Sequence, residues 1–156
     1  MPGAMRKGTA SLRTTVSSPN GLLRSIMISA PRQLGLFRDG DLAGPVTTEP
    51  ADPTRLAYLD ALPSALPYHL LRAAGTARPS VLLPGAGTGE GVRLARYLGA
   101  ASVEVTEHDP ALRRLLTQDL APATGRLFDG VIVHPAAVRA FTAGRRSDFD
   151  LVPLDT

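Results

Sequence analysis

The stretch SVLLPGAGTGEG, residues 80–91, contains a short apolar run followed by closely spaced glycines. Ser80 to Leu83 has the length and composition of a buried strand, and Glu90 to Tyr97 has helical periodicity. Glycines in the connection let the backbone come close to a ligand, and the helix start adds free N–H groups and a positive dipole end. The stretch therefore predicts a strand, a glycine loop and a helix suited to a polar or anionic ligand.

Strand and helix patterns continue to alternate after this stretch. Strands are predicted over 102–107, 130–133 and 150–154, and helices over 111–120 and 136–142. Parallel strands joined by helices need right-handed crossovers and bury both faces of their sheet. The pattern predicts an α/β fold with a doubly wound, mostly parallel (Rossmann-like) sheet of order 3-2-1-4, incomplete at its C-terminal side.

Three segments are predicted along the chain. Residues 1–20 are basic and rich in hydroxyl side chains without apolar periodicity, so they read as a disordered tail. Residues 21–50 contain short alternating runs around Asp39-Gly40, which is typical of a tight reversal in a small antiparallel β-unit. Residues 51–156 form the N-terminal part of the α/β domain, opening with a helical pattern from Asp52 that Pro63 interrupts.

Composition narrows the possible classes of protein. The 156 residues are 44% hydrophobic and 20% charged, with a net charge of +3 and no cysteine. No apolar run approaches the roughly 18 residues of a membrane span, and the scattered histidines show no metal spacing, so we expect a cytoplasmic protein without metal. The basic residues are dispersed and aromatic residues are few, which argues against nucleic acid as a partner.

The glycine spacing bears on the type of cofactor. Gly85, Gly87 and Gly89, with Ala86 and Thr88 between them, form G-x-G-x-G, and Glu90 stands where a dinucleotide fingerprint has its third glycine. This spacing favours an adenosyl-sulfonium cofactor over NAD. A tight strand-to-helix turn without any ligand remains the alternative.

An acidic residue follows the second predicted strand. Glu107 ends that strand, where a carboxylate can accept both hydroxyls of a ribose. Asp109 and Pro110 suit the cap and the first position of the next helix. The alternative for Glu107 is a solvated strand end.

The whole pattern PSVLLPGAGTGEGVRLARYLGAASVEVTEHDP, residues 79–110, resembles the spermidine synthases (polyamine aminopropyltransferases), which have an S-adenosylmethionine-dependent methyltransferase-type Rossmann fold. YLDALPSALPYHLL upstream resembles the helix before their nucleotide domain, and FDLVPLDT at the end resembles their strand that leads to the catalytic aspartate. The resemblance covers roughly residues 20–156, so it implies a C-terminally truncated member of the family.

The resemblance implies a function and a base. The co-substrate would be decarboxylated S-adenosylmethionine or S-adenosylmethionine, and no metal would be needed. The acceptor would be a small molecule, a polyamine, and one of its amines would receive the aminopropyl group. Asp155 would be the catalytic base, since the amine arrives protonated and must lose a proton. Gly85, Ala86, Gly87, Thr88, Gly89 and Glu107 would bind the cofactor.

Three positions depart from the family pattern. Thr88 and Leu59 stand where the family usually has an aspartate and a histidine that help to hold the amine, and Ala137 stands near where an aspartate meets the adenine. A class I methyltransferase and a non-catalytic fragment of the fold therefore stay open, although Leu83 stands where methyltransferases usually have an acid. The unpaired edge of the fourth strand also predicts a homo-oligomer.

Overall fold

The structure is a computed structural model that describes the backbone of residues 11–18, 21–27, 33–48, 56–143, 145 and 149–154, with side chains from residue 33 onward. Its first part is a four-stranded antiparallel sheet with the strands in sequence order. The strands are β1 (Ser11–Ser18), β2 (Gly21–Met27), β3 (Gln33–Arg38) and β4 (Asp41–Thr47).

The reversal between β3 and β4 confirms the predicted turn. Asp39 and Gly40 both have positive φ, 53° and 95°, as a two-residue hairpin with type I′ geometry requires. Leu34, Leu36 and Val46 from these strands are buried in the main hydrophobic core. The small antiparallel β-unit is therefore packed against the rest of the protein.

Strand β1 corrects the prediction of a disordered tail over residues 1–20. It pairs with β2 from Ser11 opposite Met27 to Ser18 opposite Gly21. The segment lacks an apolar signal because its residues are mostly Ser and Thr, whereas the pairing joins backbone groups that every non-proline residue carries. Residues 1–10 lie outside the described part of the chain.

The second part is an α/β unit whose parallel sheet contains β5 (Ser80–Pro84), β6 (Ser102–Thr106) and β7 (Ile132–His134), in that order. The α-helices are α1 (Leu66–Ala73), α2 (Glu90–Tyr97), α3 (Pro110–Arg114) and α4 (Val138–Thr142). The α/β class is thus confirmed, and α2 has the predicted bounds.

The fourth predicted strand, 150–154, is wrong beyond its first residues. Leu151 forms a single parallel bridge with Val81, and its carbonyl accepts from the Leu82 N–H at 3.0 Å. Two residues later Pro153 has no N–H to donate, which opposes continued pairing. The bridge lies on the side of β5 away from β6, as the order 3-2-1-4 requires, while the doubly wound form stays a prediction.

The helix predicted over 111–120 also needs correction. The side chain of Asp109 caps α3, accepting from the N–H groups of Ala111 at 2.9 Å and Leu112 at 3.3 Å. After Arg114 the chain widens into a π-turn over Leu115–Asp119. The hydroxyl of Thr117, in this turn, donates to the carbonyl of Arg113 in α3 at 2.8 Å. Such side-chain bonds compete with the regular backbone hydrogen bonds of a helix.

Two other predicted helices differ in the structure. The described part of the pattern from Asp52 to Pro63 contains a 3₁₀ turn at Ala57–Ala61, and a second 3₁₀ turn at Pro63–Ala65 precedes α1. Pro63 has no N–H to donate, which opposes a continuous helix, and residues 52–55 lie outside the described part of the chain. Helix α4 begins at Val138, because Ala137 is extended with φ −69° and ψ 146°.

The two faces of the parallel sheet differ in character. Successive side chains of a strand point to opposite faces of the sheet, and residues paired between neighbouring strands share a face. The registers of β5 with β6 and of β6 with β7 therefore show which side chains lie on each face. The apolar face contains Val81, Leu83, Val103, Val105 and Val133. The mixed face contains Ser80, Leu82, Glu104, Thr106 and His134.

In the described part of the chain, no helix is both long and apolar enough to cross a membrane.

Candidate ligand-binding site at the glycine loop

The loop between β5 and α2 depends on glycine for its backbone conformation. Gly85, Gly87 and Gly89 have φ of 101°, 51° and 88°, all in the region that L side chains rarely adopt. A Cβ at Gly85 or Gly87 would meet no heavy atom within 4 Å, whereas one at Gly89 would lie 3.1 Å from Leu127 Cδ2. The first two glycines therefore border open space, and the third is packed against the protein.

The exposed part of the loop offers backbone donors. Among the hydrogen bonds of the described residues, none uses the N–H groups of Gly87 and Thr88. Gly89 is the N-cap of α2, whose first turn adds further N–H groups and the positive end of the helix dipole. Such a surface can bind an anionic or hydrogen-bond-accepting ligand without help from side chains.

Glu107 anchors this loop from below. Its side chain is buried, Oε2 accepts from the Ala86 N–H at 3.1 Å, and Oε1 accepts from the Asp109 N–H at 2.8 Å. The carboxylate thus joins the glycine loop to the turn after β6. An ionised carboxylate has about four acceptor sites, so two bonds leave capacity for a ribose, and that role stays a prediction.

A cavity of about 320 Å³ lies against the loop. Gly85, Ala86, Gly87 and Thr88 line it, whereas the other two predicted binding residues, Gly89 and Glu107, do not. The remaining walls come from the 3₁₀ turns and α1, from β5 and α2, and from Pro153 near the end of the chain. The cavity is therefore assembled from three separate parts of the sequence, residues 59–68, residues 83–94 and Pro153.

Leu59 and Thr88, two of the positions that depart from the family pattern, meet at this cavity. Leu59 is only 1% exposed. Pro153 also lines the cavity, and the predicted base Asp155 follows it outside the described residues. Ala137, the third departure, is not among the lining residues.

Strand β4 supports the loop from the antiparallel sheet. The Thr47 N–H donates to Oε1 of Glu90 at 3.3 Å, and Nη2 of Arg93 donates to the Thr47 carbonyl at 2.9 Å. A Cβ at Gly44 would lie 3.0 Å from Cγ2 of Thr88. Sequence reasoning missed these residues, although Glu90 and Arg93 stand three apart on α2, a spacing that allows an ion pair.

Opposite the glycine loop, the start of β5 is joined to the last described segment. Oδ2 of Asp150 accepts from the N–H of Ser80 at 2.7 Å and from its hydroxyl at 2.8 Å. These two bonds, the backbone bond first, hold the pKa of Asp150 below its usual value of 3.8. The pair fixes where the Leu151 segment meets the sheet.

No family model and no curated protein matches this chain. The resemblance to spermidine synthases therefore depends on the motifs themselves.

Proposed function

We propose that this chain binds an S-adenosylmethionine-derived nucleoside at the loop Gly85–Gly89, on an α/β domain similar to that of the spermidine synthases. The observation that carries the proposal is the loop geometry. Positive φ angles leave the N–H groups of Gly87 and Thr88, which no described residue accepts, on an open surface at the carboxyl end of β5, the usual ligand position in parallel sheets. The hydrogen bond from the Ala86 N–H to Glu107 supports the loop in this conformation.

Aminopropyl transfer to a polyamine is the reaction that the resemblance implies. Decarboxylated S-adenosylmethionine would supply the aminopropyl group: the amine nitrogen would bond to the methylene carbon beside the sulfonium, the bond from that carbon to sulfur would break, and methylthioadenosine would leave. Asp155 would take the proton from the attacking amine, as the resemblance implies.

Methyl transfer is the second candidate function. The observation that favours it is the chemistry of the two departing positions, because Leu59 and Thr88 bring an isobutyl group and a hydroxyl to the cavity in place of an imidazole and a carboxylate. Methyltransferases require S-adenosylmethionine itself, with its carboxylate. Comparing the affinities of S-adenosylmethionine and its decarboxylated form separates the two candidates.

The binding proposal is tested by calorimetric titration of methylthioadenosine into the wild-type chain and the variants Gly87→Ala and Gly99→Ala. Both glycines have positive φ and open space for a Cβ, so both substitutions add similar backbone strain. Only Gly87 lies in the loop. We expect Gly87→Ala to weaken binding about tenfold or more, the equivalent of roughly 1.4 kcal/mol, and Gly99→Ala to leave it unchanged.

Absence of binding to the folded wild-type chain would refute the proposal, as would equal weakening by both variants. A non-catalytic fragment of the fold predicts binding without turnover. An assay with putrescine and decarboxylated S-adenosylmethionine, using Asp155→Asn as the control, separates that alternative from an active enzyme.

A further inference from the structure

We propose that the cavity beside the glycine loop receives an uncharged, mainly apolar molecule as the second ligand, and not a diamine. The inference rests on the proposed nucleoside site, which leaves this cavity as the neighbouring space, and it favours the second candidate reaction, methyl transfer, over aminopropyl transfer to a polyamine. It concerns the class of the second ligand, which the glycine loop does not specify.

The cavity walls are mostly apolar side chains. Leu59, Tyr68 and Leu94 are 1%, 3% and 6% exposed, so they form fixed walls. Leu62, Leu83 and Pro153 extend the same surface. The apolar part of a ligand is removed from water when it enters such a site, and it has no hydrogen bonds to lose.

Glu90 is the one charged side chain among the described lining residues, and it already has partners. Its Oε1 lies 3.6 Å from Nε of Arg93 and accepts from the Thr47 N–H. Arg93 is only 2% exposed, so its guanidinium has lost most of its hydration, and this carboxylate contributes to the compensation of its charge. An arriving ammonium would compete with a buried guanidinium for the same acceptor.

A diamine would bring two ammonium groups into this space. Each loses hydration on entry, and that cost is recovered only where a carboxylate and further acceptors replace the water. At Leu59 the side chain offers no acceptor, and at Thr88 it offers only a neutral hydroxyl. The described walls therefore favour a neutral ligand.

The proposal is tested on the full chain with putrescine and 1-pentanol, which have the same number of heavy atoms. Leucine methyl signals are followed by NMR during each titration, with and without methylthioadenosine. We expect 1-pentanol to shift the signals of Leu59 and Leu94 and to bind at least about tenfold more tightly than putrescine. Equal or tighter binding of putrescine, or no shift with either compound, would overturn the inference.

Thr88→Asp supplies the decisive variant because it adds one carboxylate to the cavity wall. Putrescine should then bind about tenfold more tightly than to wild type, while 1-pentanol should bind less well. Leu70→Asp is the matched control, since Leu70 is 61% exposed on α1 and does not line the cavity. A folded Thr88→Asp chain whose affinity for putrescine is unchanged would contradict the inference.

Nucleoside binding is scored separately by calorimetry with methylthioadenosine. Preferential putrescine binding together with nucleoside binding overturns only the inference about the cavity. Leucine shifts with 1-pentanol but no nucleoside binding would refute the proposed function and leave the apolar character of the cavity supported.

Discussion

The apolar and mixed faces of the parallel sheet are closed by different means. On the apolar face, Val81 and Val105 are fully buried and belong to the continuous core that also includes Val92 of α2 and Leu112 of α3. On the mixed face, Nε2 of His134 lies 2.6 Å from Oε2 of Glu104, and the His134 ring packs on Phe141 of α4 at 4.3 Å between centroids. One face depends on packing, and the other depends largely on polar pairs.

This difference means that burial has opposite effects on stability at two adjacent positions of one strand. Val105 and Thr106 are neighbours in β6, both nearly inaccessible to solvent, but they point to opposite faces. Burial of Val105 is favourable because it removes an apolar side chain from water. The hydroxyl of Thr106 is buried and has no hydrogen-bond partner among the described residues.

Val105→Ala should have the largest effect on stability. Removal of two carbon atoms from the apolar face loses hydrophobic burial and leaves a void, so the free energy of unfolding should fall by about 2 kcal/mol. Urea titration followed by circular dichroism measures the change. Val152→Ala is the control because Val152 is 43% exposed, and a similar loss there would show that the face does not matter.

Thr106→Val should have a smaller effect of opposite sign. Valine keeps the shape of the side chain and removes a buried hydroxyl for which the described part of the chain offers no partner, so the free energy of unfolding should rise by about 1 kcal/mol. Thr124→Val is the matched control, since Thr124 is also buried but its hydroxyl donates to the Ala121 carbonyl at 3.3 Å. The melting temperature should rise in Thr106→Val and fall in Thr124→Val. A lower melting temperature in both variants would contradict this account.

The Ser80–Asp150 pair should give the smallest effect, visible mainly as a dependence on pH. The pKa of Asp150 is lowered in the folded chain, so its contribution to stability is present above the usual value of 3.8 and is lost as the pH falls through the lower folded value. Asp150→Asn should reduce the fall in melting temperature across that range. Ser80→Ala removes the hydroxyl bond to the Asp150 carboxylate but keeps the backbone bond to it, so it should have an intermediate effect on the pH dependence. An unchanged pH profile in both variants would exclude the pair as a contributor.

Local sequence signals predicted β5, the glycine loop and α2 because each depends on nearby residues. The apolar run, the glycines and the helical period of residues 80–97 lie in one continuous segment. The cap at Asp109 was predictable for the same reason, as it bonds N–H groups within three residues of itself.

Features that depend on distant partners were less predictable. Strand β1 needs the backbone of β2, and the shortened pairing at Leu151 depends on the edge of β5. The anchoring role of Glu107 requires the Ala86 N–H, which the parallel register of β5 and β6 brings next to it. None of these relations leaves a periodic pattern in the sequence.

The buried Arg93 has a consequence for dividing this protein into fragments. Its guanidinium is compensated partly by the Thr47 carbonyl, which belongs to the antiparallel sheet. A fragment that begins after residue 55 would retain the charge and lose that acceptor, exposing or destabilising the first turns of α2. Boundaries for expression or domain exchange should therefore keep residues 41–47 with the glycine loop, even though the two sheets look like separable modules.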